Sequence, residues 1–186
     1  MSQERPDIKR EVEKSRSFLK KLQLVIPGLR GCRRLEDLRV SDELLRNQLA
    51  DVLDQARANL NILRQRLASS GDMMNLSQVG SLATQLQTLS GEIRHAQQGY
   101  SGFVTPISVN DEKLESLYEY DYSFATSIIN IRDSTSQEKL KYDPSSPANL
   151  TMMLTQLIKQ VQDVRVIWSQ RIERMEKVLV GGGGNG

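Results

Sequence analysis

From about residue 33 to Ser69 the chain places Leu38, Asp42, Leu45, Leu49, Val52, Ala56, Leu60, Leu63 and Leu67 in steps of four and three. Such steps return each side chain to one face of an α-helix, whereas a strand needs a period of two. Sustained over about four heptads, the pattern is that of a helix packed along a seam against other helices. A long seam of this kind excludes sheet architectures for its own segment. It also demands partner helices with matching apolar faces.

The rest of the chain supplies them. Pro6 and Asp7 open a helical pattern through Ile8, Val12, Leu19, Leu22 and Val25, which stops at VIPGLRG. Pro27 restricts the residue before it and Gly28 permits a turn there. After SSGDMMN, with Gly71 as the helix-ending residue, a third pattern carries Leu76, Val79, Leu82, Leu86, Leu89, Ile93 and Ala96. The short connection makes the second and third helices an antiparallel hairpin. Gly80 and Gly91 each weaken the third helix by about 1 kcal/mol relative to alanine.

A fourth helix opens at Asn110-Asp111-Glu112, where a cap and acidic residues suit the positive end of the helix dipole. It carries Leu114, Leu117, Asp121, Phe124, Ile128 and Ile131. A polar, mobile loop follows over 133–147, with Pro144 and Pro147. The fifth helix sets Leu150, Leu154, Leu157, Val161, Val164, Trp168, Ile172, Met175 and Leu179 on one seam. Only FVTPISV has any strand-like alternation. The expected fold is all-α: an elongated antiparallel bundle or coiled coil of about five helices, one domain over 1–180, with a flexible glycine-rich tail at 181–186.

Composition agrees, with 38% hydrophobic, 26% charged and 5% aromatic residues, which favours long helices over a thick core. Residues 1–66 hold 15 Lys/Arg and 10 Asp/Glu, and the remainder is mildly acidic. That basic third lacks the interleaved aromatics a nucleic-acid surface stacks bases on, so nucleic acid is not an expected partner. The single cysteine, Cys32, has no internal disulfide partner, and no cysteine or histidine cluster has metal spacing. Neither a signal core nor a run of ~20 apolar residues occurs, so a cytoplasmic protein is expected.

The stretch HAQQGYSGFVTPISVNDEKLESLYEYDYSF concentrates the lone His95, four of five tyrosines and two of three phenylalanines. His95 has only Glu92, Gln97 and Gln98 near it in sequence, and reads as a junction residue rather than a general base. PGLRGCRR, with Arg30, Arg33 and Arg34, could offer an anion free amides at a helix start. It lacks the spacing and preceding strand of a phosphate loop and reads first as a tight turn. Cys32 beside Arg33 and Arg34 reads as a junction thiol. In LYEYDYSF, Glu119 and Asp121 lie two apart, which points them to different helix faces and argues against a paired acid and base. Asp42 and Asp121 both fall on apolar seams. A buried carboxylate there needs a cationic partner, for which Arg94 or Arg39 is expected, and such residues can specify helix register or partner choice.

The junctions carry a likeness. IPGLRGCRRLEDLRVSDELLR and GYSGFVTPISVNDEKLESLYEYD resemble segments of a group of uncharacterised bacterial and archaeal helical coiled-coil proteins. The matching positions are Pro27, Gly28, Arg30, Gly31, Glu36, Arg39 and Asp42, then Gly99, Tyr100, Gly102, Phe103, Leu117, Tyr118, Glu119 and Asp121. The resemblance covers roughly residues 26–124. It implies a helical fold and no known activity, with Leu29 and Cys32 departing from an aromatic preference. Under it, GYSGF is a corner in which Tyr100 and Phe103 plug a bundle end and Glu119 or Asp121 approaches Arg39.

These readings together predict a non-enzymatic scaffold or adaptor with no cofactor, metal or small-molecule substrate. Its partner is another protein or a second copy. The candidate interaction and junction residues are Arg30, Arg33, Arg34, Arg39, Asp42, Tyr100, Phe103, Tyr118, Glu119, Asp121 and Trp168. The alternative is a peripheral membrane protein of phage-shock-like architecture on the inner face of a membrane. In it the first helix would set Ile8, Val12, Leu19, Leu22 and Val25 against anionic lipid, with Lys9, Arg10, Lys14, Arg16, Lys20 and Lys21 opposite.

Overall fold

The computed structural model describes residues 20, 21, 23–25, 38–96 and 111–180; within the long helices, side chains are described for 42–96, 116–171 and 173. The fold is an all-α helical bundle. Its long helices are α1 (Leu38–Ser70), α2 (Met73–Arg94), α3 (Asp111–Ser134) and α4 (Pro147–Val180). Residues 20, 21 and 23–25 are helical as well, and the described residues include no strand. The rest of the expected first helix, both junctions with FVTPISV, and the tail lie outside the described residues.

The chain sorts into two compact units. One holds α2 with α1 from Arg46, α3 from Thr126 and α4 as far as Ile167. Its core is aliphatic and follows the seams: Leu49, Leu53, Ala56, Leu60, Leu63 and Leu67 from α1; Val79, Leu82, Leu86, Leu89 and Ile93 from α2. Ile128 and Ile131 of α3 and Leu150, Leu154, Leu157, Val161 and Val164 of α4 complete it. On α1 the expected Val52 is only half-buried and Leu53 takes the core position. The seam then returns to the expected Ala56, Leu60, Leu63 and Leu67, so a single step is redistributed, as a 3.6-residue period allows steps of three or four.

Gly71 ends the first helix of the hairpin with φ 77°, a left-handed conformation that glycine adopts without steric cost. Asp72 then caps α2, its Oδ1 accepting from the Asn75 amide at 3.1 Å. The antiparallel pairing is confirmed at the far end, where Ser90 Oγ donates to the Ala50 carbonyl at 3.2 Å. The connection from α3 to α4 is less uniformly polar than its composition suggests. Leu140 is buried, and Thr135, also buried, donates its hydroxyl to the Arg132 carbonyl at 2.7 Å.

The second unit gathers α1 up to Leu45, α3 up to Ala125 and α4 from Trp168. Leu45, Leu117, Phe124, Ala125 and Trp168 are buried in it, together with three charged side chains.

A buried ionic cluster and an exposed methionine end

Those three charges are Asp42 on α1, Asp121 on α3 and Arg171 on α4, exposed by only 8%, 4% and 3%. Arg171 Nε donates to Asp121 Oδ1 at 2.6 Å and its Nη2 to Asp121 Oδ2 at 3.2 Å, a two-point grip on one carboxylate. The same Nη2 donates to Asp42 Oδ1 at 2.7 Å. One planar guanidinium thus bonds carboxylates from two other helices, a geometry a lysine ammonium would not reproduce. Beneath it, the Trp168 and Phe124 rings stack with centroids 5.5 Å apart, and Arg171 Cζ lies 5.6 Å from the Trp168 centroid. An aromatic floor of this kind favours a cation above it.

The electrostatics follow from that geometry. Burial pushes the Asp121 carboxyl above the ordinary carboxylate range, against the pull of Arg171, and the like charge of Asp42 adds to the rise. For Arg171, burial disfavours the charge, but Asp121 and Asp42 outweigh it and hold the guanidinium above its usual value. Arg171 thus joins the two carboxylates into a buried structural ion triad.

Arg94 is not the partner of Asp121. It lies in the other unit, where its Nη2 donates to Asp51 Oδ1 at 2.7 Å and Asp54 Oδ2 at 3.0 Å. Arg171 replaces it because the seam of α4 continues in strict steps of four and three. From Leu150 through Trp168 the next member is Arg171, not Ile172. That step was readable in the sequence and is the signal that would have found the residue. The side chains of Arg39 and Ile172 lie outside the described residues, as do Arg30, Arg33, Arg34, Tyr100 and Phe103 altogether. Of the remaining candidates, Tyr118 is half-buried, Glu119 is exposed, and Trp168 is buried as a packing anchor.

Other polar residues serve helix ends. Arg46, buried, donates Nη1 to the carbonyls of Ala96 at 2.8 Å, Arg94 at 3.4 Å and Ile93 at 3.5 Å. It thereby satisfies carbonyls at the negative end of α2. Asn75, also buried, donates Nδ2 to Asp72 Oδ2 at 2.7 Å and to the Pro147 carbonyl at 3.2 Å. Its Oδ1 accepts from Thr151 Oγ1 at 2.9 Å, tying the start of α2 to the start of α4. His95 is exposed at the end of α2, its amide donating to the Gly91 carbonyl at 3.0 Å.

The Asn75 tie also brings exposed methionines to one end of its unit. Met73 and Met74 precede Asn75, Met152 follows Thr151, and they are 69%, 64% and 61% exposed. Residues 73–91 contain no Asp, Glu, Lys or Arg, so nothing charged on α2 interrupts that surface over five turns. A separate shallow cavity of about 120 Å³ lies among Ser134, Leu140, Met153, Leu157 and their neighbours, well below the roughly 300–1,000 Å³ of ligand pockets. Among the described residues no three His, Cys, Asp or Glu side chains group as metal ligands, and no helix is long and apolar enough to cross a membrane. Set against known protein families, curated proteins and solved structures, the chain matches none of them.

Proposed function

We propose that the protein is a helical scaffold or adaptor that works by binding another protein or a second copy of itself. The observation carrying this reading is the methionine end formed by Met73, Met74 and Met152. Methionine is flexible and polarizable, and exposed clusters of it suit adaptable apolar contacts. Large apolar side chains left in water beside an uncharged helix face mark interaction surfaces more often than catalytic ones. Asp42, Asp121 and Trp168, by contrast, are taken up by internal packing and pairing. The test is the triple variant Met73→Glu, Met74→Glu and Met152→Glu. Self-association by light scattering, or protein capture on the immobilised chain, should fall at least tenfold while the melting temperature stays within a few degrees. Undiminished assembly and capture would reject the proposal.

A second reading, attachment to an anionic membrane surface, is favoured by Leu24, which is helical and 75% exposed within one turn of the exposed Lys20 and Lys21. Apolar insertion flanked by lysine is the chemistry of an interfacial helix. Co-sedimentation with anionic liposomes that weakens with salt and with Leu24→Glu would support it. Equal recovery with and without liposomes would remove it.

A further inference from the structure

The apolar seams have a weakness that the ionic cluster repairs. A heptad seam looks the same to its partners after a slide of seven residues, because aliphatic positions then meet aliphatic positions. In this chain the residues seven before and seven after each member of the cluster are aliphatic. They are Leu35 and Leu49 around Asp42, Leu114 and Ile128 around Asp121, and Val164 and Val178 around Arg171. The connection between α3 and α4, residues 135–146, is long enough to take up such a slide. Aliphatic packing and chain connectivity therefore leave more than one register open.

We infer that Arg171, shared between Asp42 and Asp121, is a register key that selects one alignment of α1, α3 and α4. A slide of α4 by one heptad in either direction puts a valine where the guanidinium sits. Both carboxylates would then lie against apolar side chains, and the guanidinium would be carried into aliphatic surroundings. Burying unpaired charge is far more costly than rearranging aliphatic contacts, so the shifted alignments are disfavoured even though their seams still fit. The two-point grip on Asp121 adds direction, since it is satisfied only with the guanidinium plane facing α3. The Trp168–Phe124 stack one turn away completes the match, because both rings occupy seam positions that hold non-aromatic apolar residues a heptad earlier and later.

The experiment uses the full chain carrying Cys32→Ser and spin labels at the exposed Ser116 of α3 and Ser169 of α4. The distance between labels is measured in an Asn75→Ala background, which releases the other polar tie on α4, with the cluster intact and in the apolar variant Asp42→Leu, Asp121→Leu and Arg171→Met. With the cluster intact one distance is expected. In the apolar variant the helical content should persist, and a second population should appear, displaced by about 10 Å, the length of seven helical residues. A single distance unchanged from the parent would overturn the inference, since the register would then be set without the cluster. An apolar variant that fails to fold would overturn it too, because the cluster would be a source of stability rather than of alignment.

Discussion

The two units bury polar groups in opposite ways. In the unit built around α2, the core seams are aliphatic and, Ser90 apart, the buried polar side chains serve helix ends. Arg46 receives the last carbonyls of α2 and Asn75 joins two helix starts. In the other unit, full charges occupy the seams themselves, one on each of three helices, above an aromatic stack. Groups at helix ends complete a backbone that would otherwise leave its terminal N–H and C=O groups without partners. Charges inside a seam complete nothing in the backbone. They are tolerated because they satisfy one another, and what they add is selectivity among packings.

The largest effect should come from removing the shared cation. Arg171→Met leaves two buried carboxylates without their guanidinium and should cost about 3–5 kcal/mol in urea unfolding at neutral pH. The loss should shrink in acid, and the sign follows from Asp121. Its folded pKa is raised by burial, and losing the opposing charge of Arg171 raises it further. Its stabilising proton is fully bound below about 3.9, the unfolded value, and is lost as pH rises through the folded one. A loss that is equal at pH 4 and pH 7 would break the picture of seam carboxylates that depend on Arg171.

Trp168→Ala should come next, at about 3–4 kcal/mol, because it empties the stacked floor and removes the ring under Arg171. Calorimetry reads it directly. A melting temperature unchanged from the parent would mean that the aromatic stack contributes nothing to that unit.

In the aliphatic unit, Asn75→Ala should cost about 1–3 kcal/mol, since it removes a buried amide that bonds Asp72, the Pro147 carbonyl and Thr151 at once. Its effect should also vary less with pH between 4 and 7 than that of Arg171→Met, because the one carboxylate it bonds, Asp72, is only half-buried. A loss as large and as pH-dependent as that of Arg171→Met would erase the distinction between the units.

The smallest effect should have the opposite sign. A methyl group added at Gly80 meets no atom within 4 Å, so Gly80→Ala has space and a better helix former. It should raise stability by about 0.5–1 kcal/mol. A destabilised variant would show that the backbone at Gly80 needs glycine for a reason its surroundings do not reveal.

The sequence by itself determined the elements. Spacing of apolar residues placed four long helices, Gly71 ended one, Asp111 opened another, and Pro147 began the last. These follow from local chemistry: the 3.6-residue period, the left-handed tolerance of glycine, and the fit of proline to a first helical turn. The sequence also marked Asp42 and Asp121 as carboxylates in need of a cation. Which cation was a tertiary decision. Arg94 was nearer to Asp121 in sequence, but its helix turns it toward Asp51 and Asp54, while α4 carries Arg171 fifty residues along to meet both carboxylates. The same holds for the methionine end, where Asn75 ties the helix starts that carry residues 73–74 and 152. Periodicity fixes which face of a helix is buried, but it repeats every heptad and so says nothing about which turn of one helix meets which turn of another. That choice belongs to the few polar groups whose partners must be found across space.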